Sequence, residues 1–326
     1  MGETRAPWSW VIIGERTIRH LREECVKTLR MYIQKALTAV GERMARILIV
    51  NRRLPKAVGI FTDIRYGTDS RKQRVDVYIP YGEPPYPVLV YVHGGSFHFV
   101  DKKTYRRLCS VFASNGFLVV NADYRLAPRY TFPKQFSDVG GAVRWAFDNA
   151  GRFGGDSKRV FLGGDSAGAC LISAYASVNG KRELMDALSI DEGIPRKSIR
   201  GILLFYGLYD FETVLDTGFS QIEVMAHGFM GADLLVYGQR ASVASSIRHL
   251  DAQFPPSLLV SGEEDLLHSE TVAFEKELER VGVEHETVYI GKSWYHGGSH
   301  GFIMAFFLPS AKRATNAAVR FLKAHS

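Results

Sequence analysis

Ser166 sits between glycines, in Gly163-Gly164-Asp165-Ser166-Ala167-Gly168, directly after the apolar run Arg159-Val160-Phe161-Leu162. A G-x-S-x-G turn at the end of a strand is tight enough that side chains at the glycines would clash, and it lifts the serine hydroxyl clear of the sheet. That hydroxyl is a poor nucleophile until a neutral imidazole takes its proton and a carboxylate holds the imidazole in the right tautomer. Two downstream segments offer those groups. Pro256–Ser261 reads as a strand running into Gly262-Glu263-Glu264-Asp265, and His285–Ile290 reads as a strand followed by a loop ending Gly298-Ser299-His300-Gly301-Phe302. The order is therefore Ser166, Asp265, His300. Upstream, the apolar run Val88–Val92 empties into His93-Gly94-Gly95. A loop with two residues lacking side chains lets backbone N–H groups approach a developing oxyanion.

Other residues compete for these roles. His227-Gly228-Phe229 repeats the His-Gly-Phe triplet but precedes Asp265, so it breaks the order and reads as part of a lid. His296 lies four residues before His300 after the same strand and stays open as the base. Glu264 and Asp210 stay open beside Asp265 as the acid. Asp165 reads as a structural hydrogen-bonding residue, and His93 as a brace for the glycine loop.

These side chains need a scaffold, and the pattern supplies one. Strands alternate with helical segments, which argues for a mostly parallel sheet with helices on both faces. Ala167–Ser177 is small and apolar enough to pack as a helix, and Val75–Ile79 alternates like an antiparallel early strand. The core begins near Ala57, and Pro84-Pro85-Tyr86-Pro87 is a stiff turn. At 326 residues and 46% hydrophobic, the chain suffices for one α/β domain with insertions. There is no internal repeat and no low-complexity tract.

Composition excludes several classes. Cys25, Cys109 and Cys170 are odd in number and scattered, which suggests no disulfide framework and a reduced compartment. No spacing of His, Cys and carboxylates resembles a metal site, and the glycine-rich nucleotide motifs are absent, so neither metal nor cofactor is expected. The net charge of +7 is local: residues 1–74 hold 16 Lys and Arg against 7 Asp and Glu, and the rest holds 25 against 27. The basic character therefore gives no reason to expect an anionic substrate, and no nucleic-acid module accompanies it. Within the basic segment, Ile18, Leu21, Cys25, Leu29, Ile33, Leu37, Val40, Met44 and Ile47 recur at helical spacing. Two readings stand: a cap helix packed on the core, or a basic helix lying on a membrane surface. Trp8–Ile13 is too short for a signal-peptide core or a membrane span, and the default is a cytoplasmic enzyme.

Taken with Asp123-Tyr124-Arg125-Leu126-Ala127-Pro128 and Phe132-Pro133, these motifs resemble the hormone-sensitive-lipase-like branch of the α/β-hydrolases, from about Val75 to the C-terminus. The resemblance implies an α/β-hydrolase fold with a helical cap. It implies an N-terminal cap segment at 1–55 and a catalytic domain at 56–326 with a cap insertion at about 211–250. It implies Ser166 as nucleophile, Asp265 as acid and His300 as base, with the N–H groups of Gly94, Gly95 and Ala167 around the oxyanion. It implies a carboxylesterase acting on a small to medium apolar ester without a cofactor, and a homodimer through the last strand and the C-terminal helix. An aryl formamidase, a lactonase or an acyltransferase would use the same machinery. A plant gibberellin receptor shares the fold but lacks the catalytic histidine, which is present here. The chain departs from the family at Ser96, where a third glycine is usual, at Ala169, and in the long stretch Gly291–Ser299.

Overall fold

The computed structural model describes residues 54–55, 59–69, 71–219, 222–231, 234–292 and 297–326. The amphipathic N-terminal segment, with its cap and membrane readings, and His296 lie outside the described residues.

The apolar runs become the inner strands of one sheet. Its strands are β1 (Gly59–Arg65), β2 (Arg74–Ile79), β3 (Tyr86–Val92), β4 (Leu118–Ala122), β5 (Gly155–Asp165), β6 (Ile199–Phe205), β7 (Ser257–Gly262) and β8 (His285–Ile290). Their order across the sheet is β1-β2-β4-β3-β5-β6-β7-β8. β2 runs antiparallel to both β1 and β4, as its alternation predicts, and every other pairing is parallel. Successive residues of a strand point to opposite faces. Accordingly Val88, Val90 and Val92 enter one apolar cluster and Leu89 and Tyr91 the other.

A sheet buried on both faces needs helices on both. The first cluster is closed by α2 (Lys134–Asn149), α3 (Ala167–Val178) and α7 (His268–Val281), through Phe136, Leu171 and Phe274 among others. The second is closed by α1 (Arg106–Ser114) and α8 (Pro309–Ala324), through Phe112 and Phe321. A short α4 (Arg182–Ala187) follows α3. Between β6 and β7 the chain leaves the sheet to form α5 (Ile222–Met230) and α6 (Leu234–Ala244).

Register positions the site. Val92 pairs with Gly164, and Asp165 with Phe205. The loops after β3, β5, β6 and β7 therefore leave the sheet along one edge, side by side. That edge, at the carboxyl ends of parallel strands, is where open α/β sheets hold ligands. Among the described residues no helix is long and apolar enough to cross a membrane, and no group of three or more side chains could hold a metal ion.

Candidate active site

The turn after β5 is as tight as its glycines suggest. Ser166 takes φ 50°, ψ −120°, a left-handed conformation costly for a residue with a Cβ. A Cβ on Gly164 would stand 2.6 Å from the Gly168 carbonyl carbon, and one on Gly168 would stand 2.1 Å from the Val92 oxygen. The Ser166 N–H donates to the Phe205 oxygen at 2.9 Å, which ties the turn to β6. Ala167 opens α3, so its N–H has no partner within the helix.

Ser166, His300 and Asp265 stand in a row. His300 Nε2 lies 2.9 Å from Ser166 Oγ, and Nδ1 lies 2.8 Å from Asp265 Oδ2. The other Asp265 oxygen accepts the Leu267 N–H at 2.8 Å, which fixes the carboxylate plane. The imidazole is held edge-on by Tyr206 at 4.9 Å and by Phe219 at 4.8 Å between ring centres. Its loop reaches this position because β7 ends on a glycine: a Cβ on Gly262 would stand 1.7 Å from the Gly298 oxygen. This arrangement gives the serine proton a route to Nε2 while Asp265 keeps Nδ1 protonated.

The glycine loop differs from the sequence reading at one donor. The Gly94 N–H is already spent, on Asp165 Oδ1 at 3.0 Å and the Tyr105 hydroxyl oxygen at 3.1 Å, in a buried setting. That N–H is therefore turned away from the cleft and braces the loop. No described hydrogen bond engages the N–H groups of Gly95 or Ser96, and Ser96 lines the same cleft as Ser166 and Ala167. Asp165 also accepts from Tyr105 Oη at 2.8 Å and from Tyr91 Oη at 3.3 Å. Burial pushes the Asp165 carboxyl above the usual carboxylate range, against the pull of the Tyr105 hydroxyl. Burial also holds the Tyr105 phenol well above its ordinary value, so it remains a neutral donor. His93 stacks on Tyr124 at 4.3 Å, and its Nδ1 lies 2.7 Å from the Gly94 oxygen.

Over Ser166 lies a narrow apolar cleft walled by Phe97, Leu208, Phe211, Phe219 and Met225. Behind its Phe97 wall, Phe229 stacks on the Phe97 ring at 4.0 Å and nearly parallel.

A family profile described as alpha/beta hydrolase fold matches residues 89–304. The chain belongs to the alpha/beta hydrolase fold family. Among curated relatives, Lipase 2 of Moraxella sp. is 28% identical over 243 residues, covering 66% of this chain and 54% of its own. Esterase LipC of Mycobacterium tuberculosis is 29% identical over 206 residues, covering 62% and 50%. The chain spans about half the length of these relatives. Esterase B of Lactobacillus rhamnosis superposes with a TM-score of 0.81 at 22% identity, over 93% of this chain and 96% of that one, a likeness of fold.

Among the described residues, the competitors of this α/β-hydrolase stand away from the row. Asp210 pairs with Arg248 at 3.1 Å, Glu264 is exposed, and His227 sits on α5 with its ring 5.5 Å from that of Tyr237. Two participants escape the sequence reading. Tyr105 reaches the Gly94 and Asp165 pair, and buried Glu270 accepts the N–H groups of Tyr209 and Asp210, each at 2.9 Å. Glu270 thereby fastens the start of α7, which carries the acid's neighbours, to the chain leaving β6. Neither lies in a recognisable short motif. Both contacts join segments about sixty residues apart or join a loop to its own far end.

Proposed function

We propose that the chain is a serine carboxylic-ester hydrolase acting on small to medium apolar esters. The observation that carries this reading is the pair of short contacts through His300, to Ser166 Oγ at 2.9 Å and to Asp265 Oδ2 at 2.8 Å. Ser166 Oγ attacks the ester carbonyl carbon while His300 Nε2 takes the hydroxyl proton, and Asp265 stabilises the imidazolium. The carbonyl oxygen becomes an oxyanion held by the N–H groups of Gly95, Ser96 and Ala167, with Gly94 bracing the loop behind them. The imidazolium gives its proton to the departing alkoxide, leaving an acyl-enzyme. Water, deprotonated by His300, then attacks that acyl carbon, and the carboxylic acid leaves as Ser166 regains its proton. The apolar walls of the cleft favour a hydrocarbon acyl group over a charged one, because they offer a charge no hydrogen bonds.

Cap roles for residues 1–55 and 211–250 belong to the same proposal. The second is supported by Phe211, Val214, Phe219, Ile222 and Met225, all of which line the cleft. The test is hydrolysis of p-nitrophenyl esters from acetyl to dodecanoyl, with Ser166→Ala as control. Turnover that depends on Ser166 and peaks at short chains is expected. A folded wild type inert to every ester overturns the reading and directs the same assay to aryl formamides, lactones and acyl acceptors.

A further inference from the structure

Lys102 is a lysine in the interior. Its side chain is 1% exposed, and its Nζ lies 2.5 Å from Asp76 Oδ1 on β2 and 2.7 Å from Asp63 Oδ1 on β1. The Asp76 side chain is fully buried, and that of Asp63 is 48% exposed. The backbone of Lys102 is equally committed. Its N–H donates to Asp123 Oδ1 at 2.8 Å, and its carbonyl accepts from Asn121 Nδ2 at 2.8 Å. One residue thus ties the loop after β3 to β1, β2 and the end of β4.

The two ends of that loop meet the site. At its start, His93 Nε2 lies 3.4 Å from the same Asp123 oxygen that receives the Lys102 N–H. At its finish, Lys102 begins the helical turn Lys102–Tyr105, and Tyr105 is the residue that holds both the Gly94 N–H and Asp165. The intervening residues are Gly95 to Asp101, of which Ser96 and Phe97 line the same cleft as Ser166. A buried ion pair is a poor device for stability, since an apolar pair of equal volume often does as well. Here it fixes one geometry, because a desolvated ammonium must keep its acceptors within hydrogen-bond reach.

We infer that Lys102 is a positioning residue for ester hydrolysis, anchoring the glycine loop to the antiparallel edge of the sheet so that its N–H groups face the oxyanion. This rests on the hydrolase reading above. Lys102 touches no reacting atom and acts through Asp123, His93 and Tyr105.

The experiment compares kcat and KM on p-nitrophenyl butyrate for the full chain. The variant Lys102→Met/Asp76→Asn removes the buried cation together with its fully buried partner and keeps an oxygen for the Asp63 N–H, which Asp76 Oδ1 now accepts at 2.8 Å. A displaced loop should lower kcat by about 10²-fold with KM unchanged, because small misplacements of donors are felt in the transition state. Asp63→Asn folds in any case, since its carboxylate is half in water, and should lower kcat by less at the same KM. Cooperative melting establishes that each variant is folded. Wild-type kcat in either folded variant overturns the role of Lys102. Absence of Ser166-dependent turnover in the wild type overturns the hydrolase reading instead.

Discussion

At the scale of single residues, the proposed chemistry depends on three side chains acting as one unit. Ser166→Ala and His300→Ala should each lower ester turnover by about 10⁴-fold or more, and the double variant should be no worse than either, because each alone stops the proton relay. Progress curves on p-nitrophenyl butyrate measure this, and an additive double variant would count against a shared role. Gly262 offers a sharper test of the geometry. Its missing Cβ makes room for the Gly298 oxygen, two residues before His300. Gly262→Ala should push the His300 loop away from Ser166 and remove most of the activity while far-UV circular dichroism stays native; full activity would show that the loop yields. That Ser166, Asp265 and His300 meet was legible because the chemistry demands those three residue types and the strand ends of this fold bring them together in that chain order. The spent N–H of Gly94 was not legible, because its partners Asp165 and Tyr105 are 71 and 11 residues away and no local pattern announces them.

At the scale of elements, strand assignment was largely readable. Val88–Val92, Val75–Ile79 and His285–Ile290 lie within or coincide with β3, β2 and β8, since apolar runs and alternation follow directly from burial on two faces or one. What the pattern could not reveal is how one element leans on another. Phe97 leaves the glycine loop to stack on Phe229 at the end of α5, with Phe136 of α2 5.9 Å behind. Phe97 walls the cleft and Phe229 backs it, so removing the backing ring should let Phe97 retreat and lengthen the space for the acyl chain. Phe229→Ala should shift the preferred p-nitrophenyl ester toward longer acyl chains, with the peak moving by about as many carbons as the ring occupied. The cost is stability, on the order of 3–5 kcal/mol for a large-to-small change in a core. An unchanged chain-length profile in a folded variant would place the acyl group elsewhere in the cleft.

At the scale of the whole molecule, charge and sheet order set how the protein responds to its surroundings. Several carboxyls are held below their ordinary range: Asp69 by the Tyr130 hydroxyl, Asp156 by the Lys158 N–H, Glu277 by Arg280 and Asp63 by Lys102. A carboxyl lowered on folding stabilises above its unfolded pKa, about 4, and that contribution disappears as pH falls through the lowered value. Asp165, raised by burial, opposes this trend as a single group. The melting temperature should therefore hold level from neutral pH to about 5 and fall below about 4; calorimetry across that range checks it, and a flat profile to pH 2 would contradict it.

Sheet order has a separate consequence. Ser166 follows a central strand, whereas the His300 loop follows β8, an edge strand half-exposed along most of its length. Outer elements open locally at lower free energy than the core they border. Function should thus be more fragile than form. In a urea titration, turnover should vanish at a lower concentration than the far-UV signal, so that an assay of activity would report the fraying of one border while the interior remains folded.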